Sequence, residues 1–172
     1  AILAAIVMIC AYGQSTAQCK YVKKQKDQWT NKTYNLAQMA IGTPLAMREL
    51  ILYEDNRKYN IGLRITFNTD FAEVPFKKGD KVSIKLENNE IIEVTASKDL
   101  IPVVFRVVDV PLRMWYVNQE FTAAEFEKLS LSPITAIRFR LNDTDHDLPG
   151  IKGKQTLKIM ETAKCMLETY GK

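Results

Sequence analysis

The chain is poor in the residues that most catalytic and metal centres are built from. Its 172 residues include one histidine, His146, and three cysteines, Cys10, Cys19 and Cys165. Cys19, Cys165 and one distant histidine lack zinc-ligand spacing, which argues against a zinc centre. A serine triad would need His146 as its base, yet no Gly-x-Ser-x-Gly elbow occurs, and a Cys–His pair has no supporting context. Three cysteines are too few for a disulfide-dense miniprotein. No apolar run approaches the ~20 residues of a membrane-spanning helix. No internal repeat or low-complexity linker follows Thr33.

Charge of one sign is also scarce, except in one place. The net charge is +4, from 24 Lys plus Arg and 20 Asp plus Glu. Lys20, Lys23, Lys24, Lys26 and Lys32 against Asp27 account for all of it, so residues 33–172 sum to zero. A neutral body argues against nucleic acid as a partner.

Apolar residues are plentiful at 47%, but thirteen of them fall in residues 1–17. Without that segment the share drops to about 44%, slightly below that of an ordinary soluble domain. Residues 2–9 form an unbroken apolar run, and Ser15-Thr16-Ala17 puts small residues before Gln18. This pattern predicts a secretory signal peptide over residues 1–17, with its positive region trimmed ahead of Ala1. Lipidation at Cys10 or Cys19 fits poorly, because Ile9 and Gln18 precede them. Export leaves Cys19 and Cys165 in an oxidising compartment, where one bridge between them becomes an option.

Residues 18–32 read as a basic solvated leader, and residues 33–172 as one domain of the α+β class. Tyr59, Ile61, Leu63, Ile65 and Phe67 alternate with polar residues or glycine over 58–68, the mark of a strand with one wet face. Residues 48–53 supply its hairpin partner. A second hairpin spans 81–96; a three-residue loop, 87–89, pairs Ile84 with Ile92 and Val82 with Val94, with Asn89 left-handed. Further strands are expected over 101–110, ended by Pro111, over 113–120 and over 134–141. Thr122-Ala123-Ala124-Glu125 is a capping box, flanked by Phe121 and Phe126 as a hydrophobic staple, so a short helix runs over about 123–130. Residues of about 155–170 form an amphipathic helix with Ile159, Met160, Ala163, Met166, Leu167 and Tyr170 in one stripe. Cys165 projects onto its charged side. The expected architecture is an antiparallel β-sandwich or open barrel of seven or more strands, with the helices covering a face or an end.

Lys78-Gly79-Asp80-Lys81 leading into Lys85-Leu86-Glu87-Asn88-Asn89-Glu90-Ile91-Ile92, and later Leu129-Ser130 with Ser132-Pro133-Ile134-Thr135-Ala136-Ile137-Arg138, resembles a group of small exported proteins of Bacteroidetes-type bacteria. The resemblance covers roughly residues 27–141 and consists of turn and strand patterns. It implies an exported location and a β-rich fold, and carries no mechanism.

The densest polar cluster is Asn142-Asp143-Thr144-Asp145-His146-Asp147. As a calcium loop starting at Asp143 it has Leu148 where glycine is needed and Lys154 where the last glutamate is needed, so it fails as an EF-hand. Asp143, Asp145, His146 and Asp147 remain candidates for a looser cation or ligand loop, against the plain reading of a solvated turn. Residues 150–156 resemble a phosphate loop only superficially, with two residues between the glycines instead of four. Trp115 and Tyr116 point to opposite faces of a strand, so at most one can offer a sugar-stacking surface. The expected function is a non-enzymatic exported binding module for an envelope protein, a glycan or a lipid, with no cofactor and no membrane span in the mature chain. The alternative is a carboxylate-based hydrolase of the envelope built on Asp143, Asp145 and Asp147.

Overall fold

A computed structural model describes residues 19–42, 49–68, 75–107, 109–141, 143–148 and 151–171, without the side chains of 67, 68 and 107. The expected signal segment, residues 1–17, lies outside the described residues, as do Asn142 and Gly150. In chain order the elements are β1 (Lys23–Lys26), β2 (Thr33–Ala40), β3 (Glu49–Asp55), β4 (Lys58–Asn68), β5 (Lys81–Leu86), β6 (Ile91–Thr95), β7 (Val103–Val107), β8 (Val110–Phe121), α1 (Ala123–Leu131), β9 (Ile134–Leu141), β10 (Thr144–Asp147) and α2 (Gly153–Tyr170).

The alternating residues of β4 place it at the middle of a six-stranded sheet of order β1-β2-β3-β4-β8-β7; β10-β9-β5-β6 form a second sheet. Every pairing is antiparallel. Tyr59, Ile61, Leu63 and Ile65 of β4 are buried with Leu50 and Leu52 of β3 and Trp115 and Val117 of β8. The second sheet adds Val82, Ile84, Ile92, Val94, Ile137 and Phe139 to the same cluster. The α+β class expected from the sequence therefore holds, with ten strands among the described residues. The sheets meet where β6 approaches β8; there Thr95 N donates to Gln119 Oε1 at 2.7 Å.

Both hairpins follow from their turn residues. Asp55 pairs with Lys58, leaving Asn56 and Arg57 as a two-residue turn with φ of 50° and 66°. Positive φ at both central positions is the type I′ geometry that matches strand twist. In the 81–96 hairpin Ile84 pairs with Ile92 and Val82 with Val94, and Asn89 sits at φ 67°. That is the register expected from setting apolar residues opposite one another.

Two expectations change. The strand expected to stop at Pro111 stops at Val107; Asp109, at φ 62°, turns the chain, and Pro111 lies inside β8. It is tolerated because β4 pairs with β8 only from Leu112 onward, so no ladder bond to β4 needs the missing N–H. The leader expected to be solvated is a strand: β1 pairs with β2 from Lys23↔Leu36 to Lys26↔Thr33. Its lysine side chains are exposed, as the composition requires.

The helices close the remaining side. Thr122 caps α1, accepting from Glu125 N while Glu125 reaches back to Thr122 N at 2.8 Å. Phe126 is fully buried and stacks on Tyr59 with ring centroids 4.6 Å apart. α2 touches α1, β2 and β3 of the first sheet and β9 of the second. At its start, the Gln155 side chain holds both the N–H and the C=O of Gly42 at 3.1 and 3.2 Å. Near its end, Cys165 is joined to Cys19 with Cα atoms 5.7 Å apart.

That bridge closes a loop of 146 residues. Chain-entropy arithmetic puts its upper contribution at about 5 kcal/mol, with measured cases at 2–5. Replacing both cysteines by serine should lower the stability in denaturant titration by about 2–5 kcal/mol. An unchanged midpoint would show that the bridge constrains nothing.

Candidate functional site

The residues 143–147 do not form a loop that gathers oxygens. Asp143 occupies the tight turn after β9 at φ 59°, and Thr144 to Asp147 return as β10 along β9. Asp145 pairs with Arg140 and Asp147 with Arg138, so these four share the solvent face of the sheet; His146 pairs with Phe139 on the other face. The imidazole stacks on the Phe139 ring at 5.2 Å between centroids. A two-residue side-chain period thus separates His146 from both carboxylates.

Arg138 takes up the acids. Its Nε and Nη2 donate to the two oxygens of Asp147 at 2.6 and 2.9 Å, and its Nη1 lies 4.0 Å from Asp145. Arg140 lies 4.0 Å from Asp143. The fork holds the Asp147 carboxyl below its ordinary pKa, through the hydrogen bond first and the charge of Arg138 second, and raises that of Arg138. No three His, Cys, Asp or Glu side chains among the described residues converge as metal ligands do. The looser cation loop expected at Asp143, Asp145, His146 and Asp147 is therefore replaced by a cross-strand ladder of ion pairs.

Two depressions flank that ladder on the same face. One of about 420 Å³ lies between Lys85, Ile91, Ala136 and Arg138. The other, about 260 Å³, lies between Asp80, Glu93, Arg140 and Asp145. Lys81 and Glu93, 2.6 Å apart, are also paired. This surface can take hydrogen bonds; of the three carboxylates singled out for a hydrolytic centre, Asp145 and Asp147 pair with Arg138 and Asp143 with Arg140.

The other residues singled out in the sequence lie elsewhere. Trp115 is buried in the core, and Tyr116 projects outward over Gly62. A Cβ at Gly62 would fall 2.6 Å from the Tyr116 hydroxyl, so glycine is what lets the ring lie flat on the strand. Burial raises the pKa of that phenol, opposed by the charge of Arg64. In the segment resembling a phosphate loop, the Thr156 hydroxyl donates to Gly153 O at 3.0 Å and is buried. It does not face solvent as a phosphate ligand would.

One polar group escapes a reading based on turns. Glu54, near the end of β3, is 4% exposed. Oε2 accepts from Asn35 Nδ2 at 2.6 Å, and Oε1 accepts from Arg57 N at 2.9 Å. Burial first, and the charge of Glu54 second, raise the pKa of the Tyr59 phenol. The parity of Leu50 and Leu52 along β3 was the available signal, since Glu54 continues their inward series. A depression of about 290 Å³ opens beside it, lined by Lys24, Asn35, Arg57 and Tyr170.

Neither a family model, nor a curated protein, nor a solved structure matches this chain.

Two outcomes follow from these pairings. Asn35→Ala removes one donor from a buried carboxylate and should cost about 1–3 kcal/mol, measured by urea unfolding; a neutral result would mean Glu54 is solvated. Asp147 should titrate below the usual aspartate range by carbon-13 NMR and return to it in Arg138→Ala. Because its folded pKa is depressed, its contribution to stability is present above the unfolded pKa and lost as pH falls through the folded one. An Asp147 titration that is the same in both proteins would show that the fork is absent in solution.

Proposed function

We propose that this chain is an exported, non-enzymatic binding module that pairs an extended segment of an envelope protein along the free edge of β7. Export is supported by the apolar run of residues 2–9, by Ser15-Thr16-Ala17 and by a bridge suited to an oxidising compartment.

The observation that carries the reading is the contrast among the four sheet edges. β1 presents Lys23, Lys24 and Lys26. β10 presents Asp145, His146 and Asp147. β6 carries Glu93 and is approached by β8 through the Thr95–Gln119 hydrogen bond. Charged side chains of this kind are how sheets block unwanted strand pairing. β7 is Val-Val-Phe-Arg-Val, with Arg106 its one charge, and Val103 and Val104 are about half exposed. Ile101, just before it, is 76% exposed. Among the described residues β8 alone pairs with β7; a row of backbone donors and acceptors left open beside apolar side chains is satisfied by another strand, with pockets for alternate residues giving selectivity. Arg106 favours a segment that carries an acid at the facing position.

A photo-crosslinking residue at Val104, in the native envelope, should capture a discrete partner peptide. The same residue at Leu131, exposed on α1, should not. Val104→Lys should abolish capture of the partner by a crosslinker placed at Val103. Equal yields at Val104 and Leu131, or capture at Val103 that survives the lysine, would remove the edge as the site.

A further inference from the structure

The net charge of this protein and, among the described residues, its most exposed aromatic side chain occupy the same hairpin. β1 and β2 are joined by a turn over residues 27–32, and Trp29 at its tip is 95% exposed, the highest value among the exposed large hydrophobic side chains. The turn is held by its own hydrogen bonds. Asp27 Oδ1 accepts from Trp29 N at 2.8 Å and from Thr30 N at 2.7 Å. Asp27 N donates to Lys32 O at 2.8 Å, and Asn31 N donates to Asp27 O at 2.9 Å, with Asn31 left-handed at φ 57°. The one acid of the segment is thereby engaged by backbone N–H groups. Lys20, Lys23, Lys24, Lys26 and Lys32 are exposed, and among the described residues none of them forms an ion pair. The Cys19–Cys165 bridge fixes the base of the hairpin to α2.

We infer that the β1–β2 hairpin is a membrane-docking element, with the Trp29 indole entering the headgroup layer and the surrounding lysines held by anionic phospholipid. Indole rings favour the membrane–water interface, where an apolar body and an N–H donor are both accommodated. Clustered lysines are drawn to an anionic lipid surface over a Debye length, and the neutral remainder of the chain does not oppose that attraction. A projecting tip with one aromatic residue suits a plane. Single-stranded nucleic acid is instead held along a groove with successive stacking platforms. This site is separate from the β7 edge and does not depend on the reading given to it.

The test is vesicle binding by the full chain, with residues 1–17 constant throughout. Phosphatidylcholine vesicles with and without phosphatidylglycerol are compared at low and high salt. Trp115 is buried, so a change in indole emission reports Trp29. Binding should require phosphatidylglycerol, weaken with salt, and shift the emission to shorter wavelength. Trp29→Ala should abolish the shift and reduce partitioning several-fold, whereas Leu131→Ala, a loss of exposed apolar surface elsewhere, should not. Replacing Lys23, Lys24 or Lys26 by Gln should cost about fivefold each at low salt. These side chains are exposed, so the variants should melt like the parent. Val104→Lys should leave vesicle binding unchanged, and Trp29→Ala should leave crosslinking at Val104 unchanged. Partitioning that is indifferent to Trp29 and the lysines, or emission changes with oligonucleotides or glycans but not with vesicles, would overturn the inference.

Discussion

Tyr59, Ile61, Leu63 and Ile65 of β4 point into the core while Asn60 and Arg64 point to the opposite face, where Thr66 is also buried, and hydrogen bonds to β3 and β8 hold that division on both sides. A slip of one residue would turn the whole series over. Because β4 is paired along its length, its parity is imposed on both neighbours. Trp115 therefore goes inward opposite Ile65, and Tyr116 goes outward opposite Arg64. The same rule draws Glu54 inward, where a carboxylate without partners would be costly; Asn35 and the Arg57 N–H supply those partners.

The ends of this frame are tied by polar contacts. The Thr122–Glu125 box satisfies donors at the start of α1 and delivers Phe126 onto Tyr59. Gln155 grips the backbone of Gly42, and the disulfide holds Cys19 against α2. β1 is short and touches the sheet through one neighbour only, a marginal element by itself. Covalent attachment just before it is what allows a strand rich in lysine to stay in place.

Much of the fold was legible because its signals are local. Alternation over residues 58–68, the Asn89 turn, the capping box and the stripe of α2 each depend on neighbours in sequence, and each occurs in the structure. Where reasoning from local signals failed, the deciding partner was distant. Lys23–Lys26 has no apolar period, so its strand character comes from β2. Pro111 reads as a terminator until the pairing of β4 shows that no donor to it is needed there. The cluster at 143–147 reads as a loop of oxygens because composition ignores alternation; pairing with Arg138 and Arg140 sets the carboxylates on one face and His146 on the other. Parity carried through the end of β3 would have found Glu54 from sequence alone.

The distribution of ion pairs then separates two kinds of surface. On the four-stranded sheet, Lys81 meets Glu93, and Arg138 meets Asp147 and Asp145. Acid and base there offset each other and leave little long-range field. On the β1–β2 hairpin, five lysines face one aspartate that is already engaged in a turn, so the field is not cancelled locally. Exposed apolar side chains are set apart in the same way, with Ile101, Val103 and Val104 along one edge and Trp29 at one tip. Scattered apolar residues on a surface need no explanation, but residues that coincide with an open ladder or an uncancelled charge do. Among the described residues, the β7 edge and the Trp29 tip show that coincidence.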